Sequence, residues 1–479
     1  MQAMTCQLGV IMAVIDVPIV GQSYHLKDWA IDCQRTLNFY PQVVESGNTP
    51  QVSALLPTPG LVKRFEFSGA IRGLYALNNV VLVVAGQTLY RVDKSNTVKQ
   101  IGGISGAGIV YFADNGIHVM IVGSSTYKYT ISSESLSVIN ANDGSEFMGA
   151  SDVTLLDSRL VWTVPNSGRI QWSDLLETTT SGLNYATAEA KPDNLVRTIT
   201  VNGQLWLIGE KTTEVWISTG NPDLPFQRMS GAFIPTGCAA KNSVCVFGGG
   251  LAWLTRSEHG QAQIVVTQGY QAQRVSNHAI ETEIANYERT DDAYSFAYQQ
   301  DGHAFLVMTF PTAKKTWCYD ATTGMWHERS YYNLSKYQHE HHRAMTHVFF
   351  NGEHLVGDRS NGIVYRLCPD CSTDNLEPIL RERVTPVINP QGSQLVFDAV
   401  ELILQAGQQE NTKPVVRLDW SDDRGKSWSK DRVLDFGAIG EFNKRIVFNR
   451  LGQSRNRVFR LRISDSNRLV ILGAKARVR

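Results

Sequence analysis

The sequence predicts an all-β protein centred on a β-propeller-like domain of six or seven blades. Short alternating apolar runs recur in pairs, and a turn rich in Gly, Asn or Ser joins the two runs of each pair, which is the pattern of a β-hairpin. The pairs return at intervals close to the length of one four-stranded propeller blade, roughly 40 to 50 residues. Neither a Trp-Asp pair nor a kelch-type glycine pair recurs at fixed positions, so the repeat is structural.

Seven predicted hairpins make up this repeat. They pair 80–84 with 88–92, 117–122 with 126–130, 159–164 with 169–173, 205–208 with 213–217, 251–255 with 263–267, 304–309 with 315–319, and 355–357 with 363–367. A single four-stranded sheet cannot bury both of its faces, whereas a closed ring of such sheets buries them and removes most exposed edges. The domain is therefore expected to enclose a central channel.

The propeller-like domain is expected to span 61–367, with different structure on either side. Residues 1–60 contain several prolines, among them Pro18, Pro41, Pro57 and Pro59, and no predicted hairpin, so they are interpreted as an extended N-terminal arm. Residues 368–393 begin with two cysteines in a polar stretch and are interpreted as a linker. Alternating runs beyond them predict a C-terminal β-sandwich domain at 394–479.

One helix is expected inside the propeller region, from Ser276 as the N-cap to Tyr287. Ala279, Ile280 and Ile284 recur at helical spacing, and acidic residues follow the cap early, as is typical of a helix start. We expect this helix to pack against the rim of the propeller.

The composition argues against several classes of protein. Lys plus Arg equal Asp plus Glu at 45 each, so no net charge draws the whole chain to DNA or to a membrane. Seven scattered cysteines are unlike the disulfide framework of a small secreted protein and favour assembly in a reducing compartment. The apolar run at 8–20 has no basic residue before it and is interrupted by Asp16, so it is interpreted as a buried arm or strand and not as a signal peptide. No other run approaches the roughly 18 apolar residues that span a bilayer.

The sharpest local motif is Ser-Asp-Asp-Arg-Gly-Lys-Ser-Trp at 421–428, which fits the Asp-box pattern of sialidases and other propeller glycosidases. In this motif Asp423 can accept hydrogen bonds from the backbone of the turn, Gly425 supplies a positive φ, and Trp428 packs on the sheet. We therefore predict a structural turn made by Ser421, Asp423, Gly425 and Trp428. A sialidase-like carbohydrate-active enzyme is the alternative.

No residue stands out for catalysis, cofactor binding or metal binding. A glycosidase needs a pair of carboxylates, and Asp152, Asp193 and Glu214 resemble ordinary turn and strand acids. Cys368 and Cys371 are half of a zinc site, which upstream histidines could complete, but the histidine-rich stretch is interpreted as a solvated loop. The histidines in question are His339, His341, His342 and His347. Nucleotide-binding glycine loops and a nucleophile elbow are also lacking, so we predict no enzyme, no cofactor and no metal.

The C-terminal end is strongly basic and forms the second predicted site. Arg460 and Arg462 alternate with apolar residues, so they share one strand face and are expected to point outward. We call the predicted site the basic face; it comprises Lys444, Arg445, Arg455, Arg457, Arg460 and Arg462. Three interpretations stay open: a solvated face with acidic partners from elsewhere in the fold, an interface with another protein, or a surface that faces nucleic acid.

The order of segments resembles the packaged-DNA stabilisation proteins of short-tailed bacteriophages, also called tail accessory or nozzle proteins. The likeness covers most of the chain. It is carried by 35–41 (Arg-Thr-Leu-Asn-Phe-Tyr-Pro), 59–61 (Pro-Gly-Leu), 152–159 leading to Trp-Ser-Asp at 172–174, Pro-Asp at 192–193, 209–216, the helix near 280–287, Asp-Arg-Gly at 423–425 and Arg455-x-Arg457.

The resemblance implies a structural virion protein that assembles in the host cytoplasm and resides in the phage tail. It implies a homohexameric nozzle or hub ring below the portal and its adaptor. This ring would close the channel, retain packaged double-stranded DNA without sequence-specific binding, and dock a tailspike or fibre and a needle or plug protein. In that setting an interface role for the basic face is favoured over DNA binding, because sliding DNA should not be held tightly. A receptor-binding propeller is the alternative.

Overall fold

The computed structural model describes residues 12–26, 32–44, 53–140, 146–188, 192–256, 262–388, 392–405, 414–465 and 469–479. Nearly all of the regular secondary structure in this part of the chain is β-strand. It separates into two compact units. We call the unit of 63–316 and 341–367 the propeller unit, and the unit of 1–62, 317–340 and 368–479 the composite unit.

Six strands precede the first propeller sheet. β1 to β6 are Ala13–Val17, Tyr24–His25, Cys33–Leu37, Phe39–Val43, Ser53–Pro57 and Gly60–Glu66.

Five four-stranded antiparallel meanders follow within the propeller unit. β7–β10 are Ile71–Leu77, Val80–Ala85, Thr88–Asp93 and Val98–Gly103; β11–β14 are Tyr111–Asp114, His118–Val122, Thr126–Thr130 and Ser135–Ile139; β15–β18 are Thr154–Leu156, Arg159–Thr163, Arg169–Trp172 and Tyr185–Thr187; β19–β22 are Leu195–Val201, Gln204–Gly209, Thr213–Ser218 and Phe226–Ile234; β23–β26 are Cys245–Phe247, Gly250–Arg256, Ala262–Gln268 and Gln271–Arg274. A 3-10 helix lies at Lys241–Ser243.

The rest of the described chain contains one α-helix and nineteen strands. These are α1 at His278–Ala285, β27 and β28 at Tyr294–Gln300 and His303–Phe310, β29–β32 at Lys315–Asp320, Met325–Glu328, Ser330–Asn333 and Gln338–His341, β33–β35 at Ala344–Phe350, Glu353–Asp358 and Ile363–Cys368, β36–β38 at Thr373–Asp374, Glu377–Pro378 and Arg381–Val384, and β39–β45 at Leu395–Leu404, Val415–Ser421, Arg432–Asp435, Ile446–Asn449, Gln453–Ser454, Val458–Ile463 and Ile471–Val478.

Buried side chains join each propeller sheet to the next. Leu82 and Tyr129 share a core between the first two meanders, and Trp162 packs with side chains of β12 between the second and third. Further clusters join the third meander to the fourth and the fourth to the fifth. Leu355 of β34 packs in one cluster with Ile71 of β7, so the sheet of β33–β35 meets the first meander. This ring of sheets confirms the predicted all-β propeller.

The local hairpins agree closely with the prediction. Antiparallel pairing joins β8 to β9, β12 to β13, β16 to β17, β20 to β21, β24 to β25 and β34 to β35. Strands β28 and β29 are present at the positions of the remaining predicted hairpin. Alternating apolar runs around tight turns were therefore a sufficient signal for these elements.

The existence of the helix was predicted correctly, but its N-cap lies one residue later and its last residue, Ala285, two residues earlier than expected. The N-cap is Asn277, whose Oδ1 accepts a hydrogen bond from the backbone N–H of Ile280 at 3.0 Å. Ser276 instead donates from Oγ to Glu281 at 2.6 Å. Asn and Ser are both favoured at this position, so their order in the sequence does not identify the cap. In the described residues no helix is long and apolar enough to cross a membrane.

The composite unit contains two sheets that pack as a β-sandwich. One has the order β4-β5-β45-β39-β42, with β1 added to β45 and β43 to β39, and the other contains β30-β3-β38-β44-β40-β41 with β2 added to β3. Phe397 and Phe459, one from each sheet, meet edge to face with their ring centroids 5.7 Å apart. The predicted C-terminal sandwich is confirmed, and N-terminal strands belong to it.

The prediction of an N-terminal arm without a hairpin was wrong. β4 and β5 pair antiparallel from Phe39 with Pro57 to Val43 with Ser53. Pro41 fits because β4 lies at the edge of its sheet, where a missing N–H is tolerated. The segment 368–393 was interpreted as a linker, yet it contains β38, which pairs with both β3 and β44. The domain boundaries themselves stay a prediction, and residues 1–11 lie outside the described residues.

Candidate functional site

The segment 35–41 lies where three distant stretches of the composite unit meet. Asn38 has a φ of 55°, a left-handed conformation that Asn adopts more readily than most residues. Its Nδ2 donates to the carbonyl oxygens of Ser330 at 3.1 Å and Leu380 at 2.8 Å, and its Oδ1 accepts from the N–H of Ser330 at 2.9 Å. One buried side chain therefore links segments that are nearly 300 residues apart or more in sequence.

Arg35 adds an ion-pair network to the same junction. Its Nε and Nη2 donate to the two carboxylate oxygens of Glu328 at 3.0 and 2.9 Å, and its Nη1 donates to Glu382 at 3.2 Å. Burial by itself would lower the pKa of Arg35, but the two carboxylates raise it above its ordinary value. Arg35 thus stays charged and links β3 to β30 and β38.

Arg383 fixes the chain that precedes β3. From β38 its guanidinium donates to the carbonyl oxygens of Ile19 at 2.6 Å and Gln22 at 3.1 Å, and to the side chains of Gln34 at 2.8 Å and Thr36 at 3.0 Å. Arg383 is fully buried, and burial lowers its pKa to about 9. Neutral acceptors satisfy its donors in place of water, as a buried guanidinium requires.

Arg381 lies two residues away on the same strand and is less well satisfied. It is fully buried, and none of its three guanidinium nitrogens has a hydrogen-bond acceptor among the residues that the structure describes. Burial lowers its pKa to about 10, and the charge of Asp374 opposes that shift. We call Asn38, Arg35, Arg383 and Arg381, with the groups that they contact, the arginine junction. The contacts of Asn38, Arg35 and Arg383 stabilise this junction, whereas the buried guanidinium of Arg381, without acceptors among the described residues, costs free energy.

The predicted basic face has acidic partners within its own unit. Arg460 donates from Nε to Asp419 at 3.0 Å, and Arg462 donates from Nη2 to the same carboxylate at 2.9 Å. Arg457 is buried, contrary to an outward orientation, and donates to both oxygens of Asp422 at 2.6 and 3.0 Å. Each of these arginines therefore has a carboxylate partner, although Arg460 and Arg462 share one.

The other members of the basic face lie nearer to solvent. Arg445 donates to both carboxylate oxygens of Glu401 at 2.8 Å, and Lys444 pairs with Asp435. Arg455 is exposed. Whether any of these side chains contacts another protein or DNA stays a prediction.

The predicted structural turn has a dense hydrogen-bond pattern. Ser421 Oγ donates to Asp423 at 2.6 Å and accepts from the N–H of Gly425 at 2.7 Å, while Asp423 accepts from the N–H of Ser427 at 2.8 Å. The hydrogen bonds from Ser421 and Ser427 lower the pKa of Asp423. Gly425 has a φ of 94°, and the guanidinium of Arg460 lies 4.0 Å from the ring centroid of Trp428. The Ser421 hydroxyl and the Asp423 carboxylate are therefore both engaged in hydrogen bonds that stabilise the turn.

The three acids considered for catalysis accept hydrogen bonds within the propeller unit, two of them from backbone and one from a side chain. Asp152 is fully buried and accepts from the N–H groups of Thr163 and Thr198, each at 3.1 Å. Asp193 accepts from the three successive amides of residues 210–212 at 2.8 to 3.1 Å. Glu214 accepts from an indole N–H two residues further on at 2.8 Å. Each carboxylate therefore accepts hydrogen bonds that stabilise the fold.

The half zinc site is a disulfide in the structure. Cys368 and Cys371 are bonded, and the described residues contain no group of three or more His, Cys, Asp or Glu side chains placed to hold a metal. The prediction of a solvated histidine loop was wrong, because 338–341 form strand β32. Of the four histidines, His342 is buried and His347 contacts His354 with their ring nitrogens 2.9 Å apart.

Sequence reasoning missed the arginine junction. Its main arginines, Arg381 and Arg383, lie in the stretch that was interpreted as a linker. The segment Arg-Glu-Arg-Val at 381–384 lacks the alternation of apolar and polar residues that predicts a strand. No local signal therefore marked it, because buried strands seldom contain arginine.

Comparison with known proteins gives two consecutive family matches. The family model described as bacteriophage P22 Gp10, beta-propeller, matches residues 17–372, and the one described as bacteriophage P22 Gp10, beta-sandwich, matches residues 380–479. No curated protein matches the chain.

Several solved structures are similar at low identity. The streptogramin B lyase structure is 10% identical with a TM-score of 0.40, over 69% of this chain and 97% of that chain. The N-terminal domain of Nup159 is 8% identical with a TM-score of 0.41, over 70% and 98%. BamB from Moraxella catarrhalis is 10% identical with a TM-score of 0.38, over 74% and 97%. These similarities are too weak to indicate a function.

Proposed function

Because this chain belongs to the bacteriophage P22 Gp10 family, the packaged-DNA stabilisation proteins, we propose that it forms the nozzle or hub ring of a short-tailed phage tail. The ring lies below the portal and its adaptor, closes the DNA channel and retains the packaged genome. It also docks a tailspike or fibre and a needle or plug protein. The observation that carries the proposal is the pair of family matches, which together span 17–372 and 380–479.

The ring is proposed to be a homohexamer of chains that perform no chemistry. Closed rings of identical chains use large repeated interfaces, and these supply stability without bond formation. The engagement of Asp152, Asp193 and Glu214 with backbone and indole donors supports a structural role over glycoside hydrolysis.

Charge distribution supports a channel wall that lets DNA pass. The chain has no net charge, and Arg457, Arg460 and Arg462 each pair with a carboxylate, Arg457 with Asp422 and the other two with Asp419. Free arginines would exchange counterions with DNA phosphates and hold the DNA in place. Paired arginines bind phosphate less strongly, because the carboxylate must first be displaced.

Imaging of the phage particle tests the position of the chain. We expect density for six copies of the propeller and sandwich on the tail axis below the portal. A particle without the chain should package DNA and then lose it, measured as nuclease-sensitive DNA after packaging. A chain that is absent from purified particles, or one that stays monomeric and binds only the host surface, would overturn the proposal in favour of a receptor-binding propeller.

A further inference from the structure

A cavity of about 470 Å³ lies between the fourth and fifth meanders of the propeller unit. Three tight connections border it: Asn202 and Gly203 between β19 and β20, Gly248 and Gly249 between β23 and β24, and Gly269 with Tyr270 between β25 and β26. Its volume falls within the range of about 300 to 1,000 Å³ typical of small-molecule sites.

The border of this cavity is preorganised. Gly248 and Gly249 have φ values of 59° and 77°, which glycine adopts without strain. Asn202, at a φ of 52°, donates from Nδ2 to the carbonyl oxygen of Gly249 at 2.7 Å, so one turn holds the other. A ligand that enters would therefore meet a largely formed site, which lowers the entropy cost of binding.

The lining of the cavity carries no formal charge among the described residues. Its side chains are amide, hydroxyl, aromatic and aliphatic, and they come from Val201, Asn202, Gln204, Trp206, Thr267, Gln268 and Tyr270. By contrast, the cavity of about 890 Å³ beside α1 is lined by five charged residues, Glu210, Arg256, Glu288, Arg289 and Asp291. A phosphate, a nucleotide or a metal ion needs charged partners that the smaller cavity does not offer.

Hydrogen-bonding groups lie next to aromatic rings in this lining. Gln204 donates from Nε2 to the hydroxyl of Tyr270 at 2.7 Å, which leaves the tyrosine proton and the glutamine carbonyl available to a ligand. The ring of Tyr270 is half-buried, and its centroid lies 6.2 Å from that of Trp206, which is only 4% exposed and belongs to the core. The indole nitrogen of Trp206 is buried without an acceptor among the described residues.

We propose that this cavity binds a neutral saccharide of about one or two sugar units. A sugar ring presents C–H faces that pack on aromatic rings and hydroxyl groups that both donate and accept hydrogen bonds. This combination matches a rigid, uncharged site of amides and hydroxyls beside the half-buried ring of Tyr270. The binding site is independent of the proposed ring, so its failure would leave the nozzle proposal intact.

Saturation-transfer NMR and calorimetry on the full chain test the proposal. The saccharide probes are methyl glycosides of glucose, galactose, rhamnose and N-acetylglucosamine, and the other probes are inorganic phosphate and a blocked Gly-Gly dipeptide. We expect saturable binding of at least one glycoside. Tyr270→Phe removes one hydroxyl and should weaken that binding roughly threefold to tenfold, the range for one lost hydrogen bond.

Two further variants separate a local effect from a folding defect. Gln204→Ala removes the partner of Tyr270 and should weaken binding in the same way. Tyr185→Phe, an equivalent change at an exposed tyrosine of β18, should leave binding unchanged. The proposal is overturned if no glycoside binds, if phosphate or the dipeptide binds more tightly, or if folded Tyr270→Phe and Gln204→Ala bind as the unchanged chain does.

Discussion

The propeller unit and the composite unit contain similar strands but are assembled in different ways. In the five four-stranded meanders of the propeller unit each strand pairs with strands adjacent in sequence, as β11 to β14 do in order. In the composite unit β3 pairs with β38, and β39 pairs with β45. The first unit depends on local turns and stacked apolar cores. The second depends on long-range pairing that buried arginines hold in place, so the two units should respond differently to substitutions and pH.

The largest expected effect comes from Arg383→Met. The substitution leaves the buried carbonyl oxygens of Ile19 and Gln22 without their donors, and each buried unsatisfied group costs about 1 to 3 kcal/mol. We expect the free energy of unfolding of the composite unit to fall by about 3 kcal/mol or more. Chemical denaturation measures this change, and calorimetry provides a second measurement. The control is Arg64→Met in the propeller unit, where a partly exposed pair with Glu353 should cost less than about 1 kcal/mol. Equal losses of unfolding free energy in the two variants would contradict the proposed difference between the two units.

Acidification should affect the propeller unit through His347. Burial and then the charge of His354 lower the pKa of His347 from 6.5 to about 3. Neutral His347 therefore supports stability fully above pH 6.5, and this contribution declines as the pH falls from 6.5 towards 3. Between pH 7 and pH 5 we expect a loss of about 2 kcal/mol.

Denaturation of His347→Gln at both pH values checks this expectation, because the variant should lose less stability than the unchanged chain. His278→Gln alters an exposed histidine and should keep the original pH dependence. If the two variants behave alike, His347 is not the group that titrates.

Gly21→Ala should weaken the composite unit by steric means alone. A Cβ at Gly21 would lie 2.7 Å from Nη2 of Arg383 and 3.2 Å from Oε1 of Gln34. Displacement of that guanidinium should cost about 1 to 3 kcal/mol, measured by thermal unfolding. The matched control, Gly108→Ala in the propeller unit, meets no atom within 4 Å and should be neutral or slightly stabilising. A neutral Gly21→Ala would contradict the tight packing at Arg383.

The smallest expected effect concerns Asp423→Asn. Hydrogen bonds from Ser421 and Ser427 depress the pKa of Asp423, so its contribution is full above the ordinary value of 3.8 and declines as the pH falls below it. We expect a cost of about 1 kcal/mol or less at pH 7. The difference from the unchanged chain should shrink in acid. Asp93 stabilises a comparable turn in the propeller unit by accepting hydrogen bonds from nearby backbone N–H groups. Asp93→Asn should therefore also lower the stability, because such a turn is formed by neighbouring residues in either unit.

The hairpins could be predicted because every signal that forms them lies within a few residues. Turn glycines and alternating apolar runs act over one hairpin, so Val80–Ala85 and Thr88–Asp93 were found from sequence alone. The helix was also found, but Asn277 and Ser276 compete for its cap, and propensity does not separate them.

The junction could not be predicted in the same way. Asn38 belongs to the segment that carried the family resemblance, but nothing near it in sequence identifies Ser330 or Leu380 as its partners. Likewise, the strand face of Arg460 and Arg462 was predicted, whereas the identity of Asp419 as their shared partner depends on the register of β40 against β44. Long-range register follows from the packed sheet and not from local preference.

The pairing of β1 with β45 affects the order in which the chain can fold during synthesis. Ala13 pairs with Val478, so a ribosome must translate nearly the whole described chain before β1 meets its partner. The propeller sheets can form while translation continues, because their strands emerge one after another. Until the last strand appears, β1 and β39 expose unpaired N–H and C=O groups, which can join strands of other nascent chains. Premature termination near residue 470 would therefore release a chain with a formed propeller and open sheet edges, a target for chaperones and for aggregation.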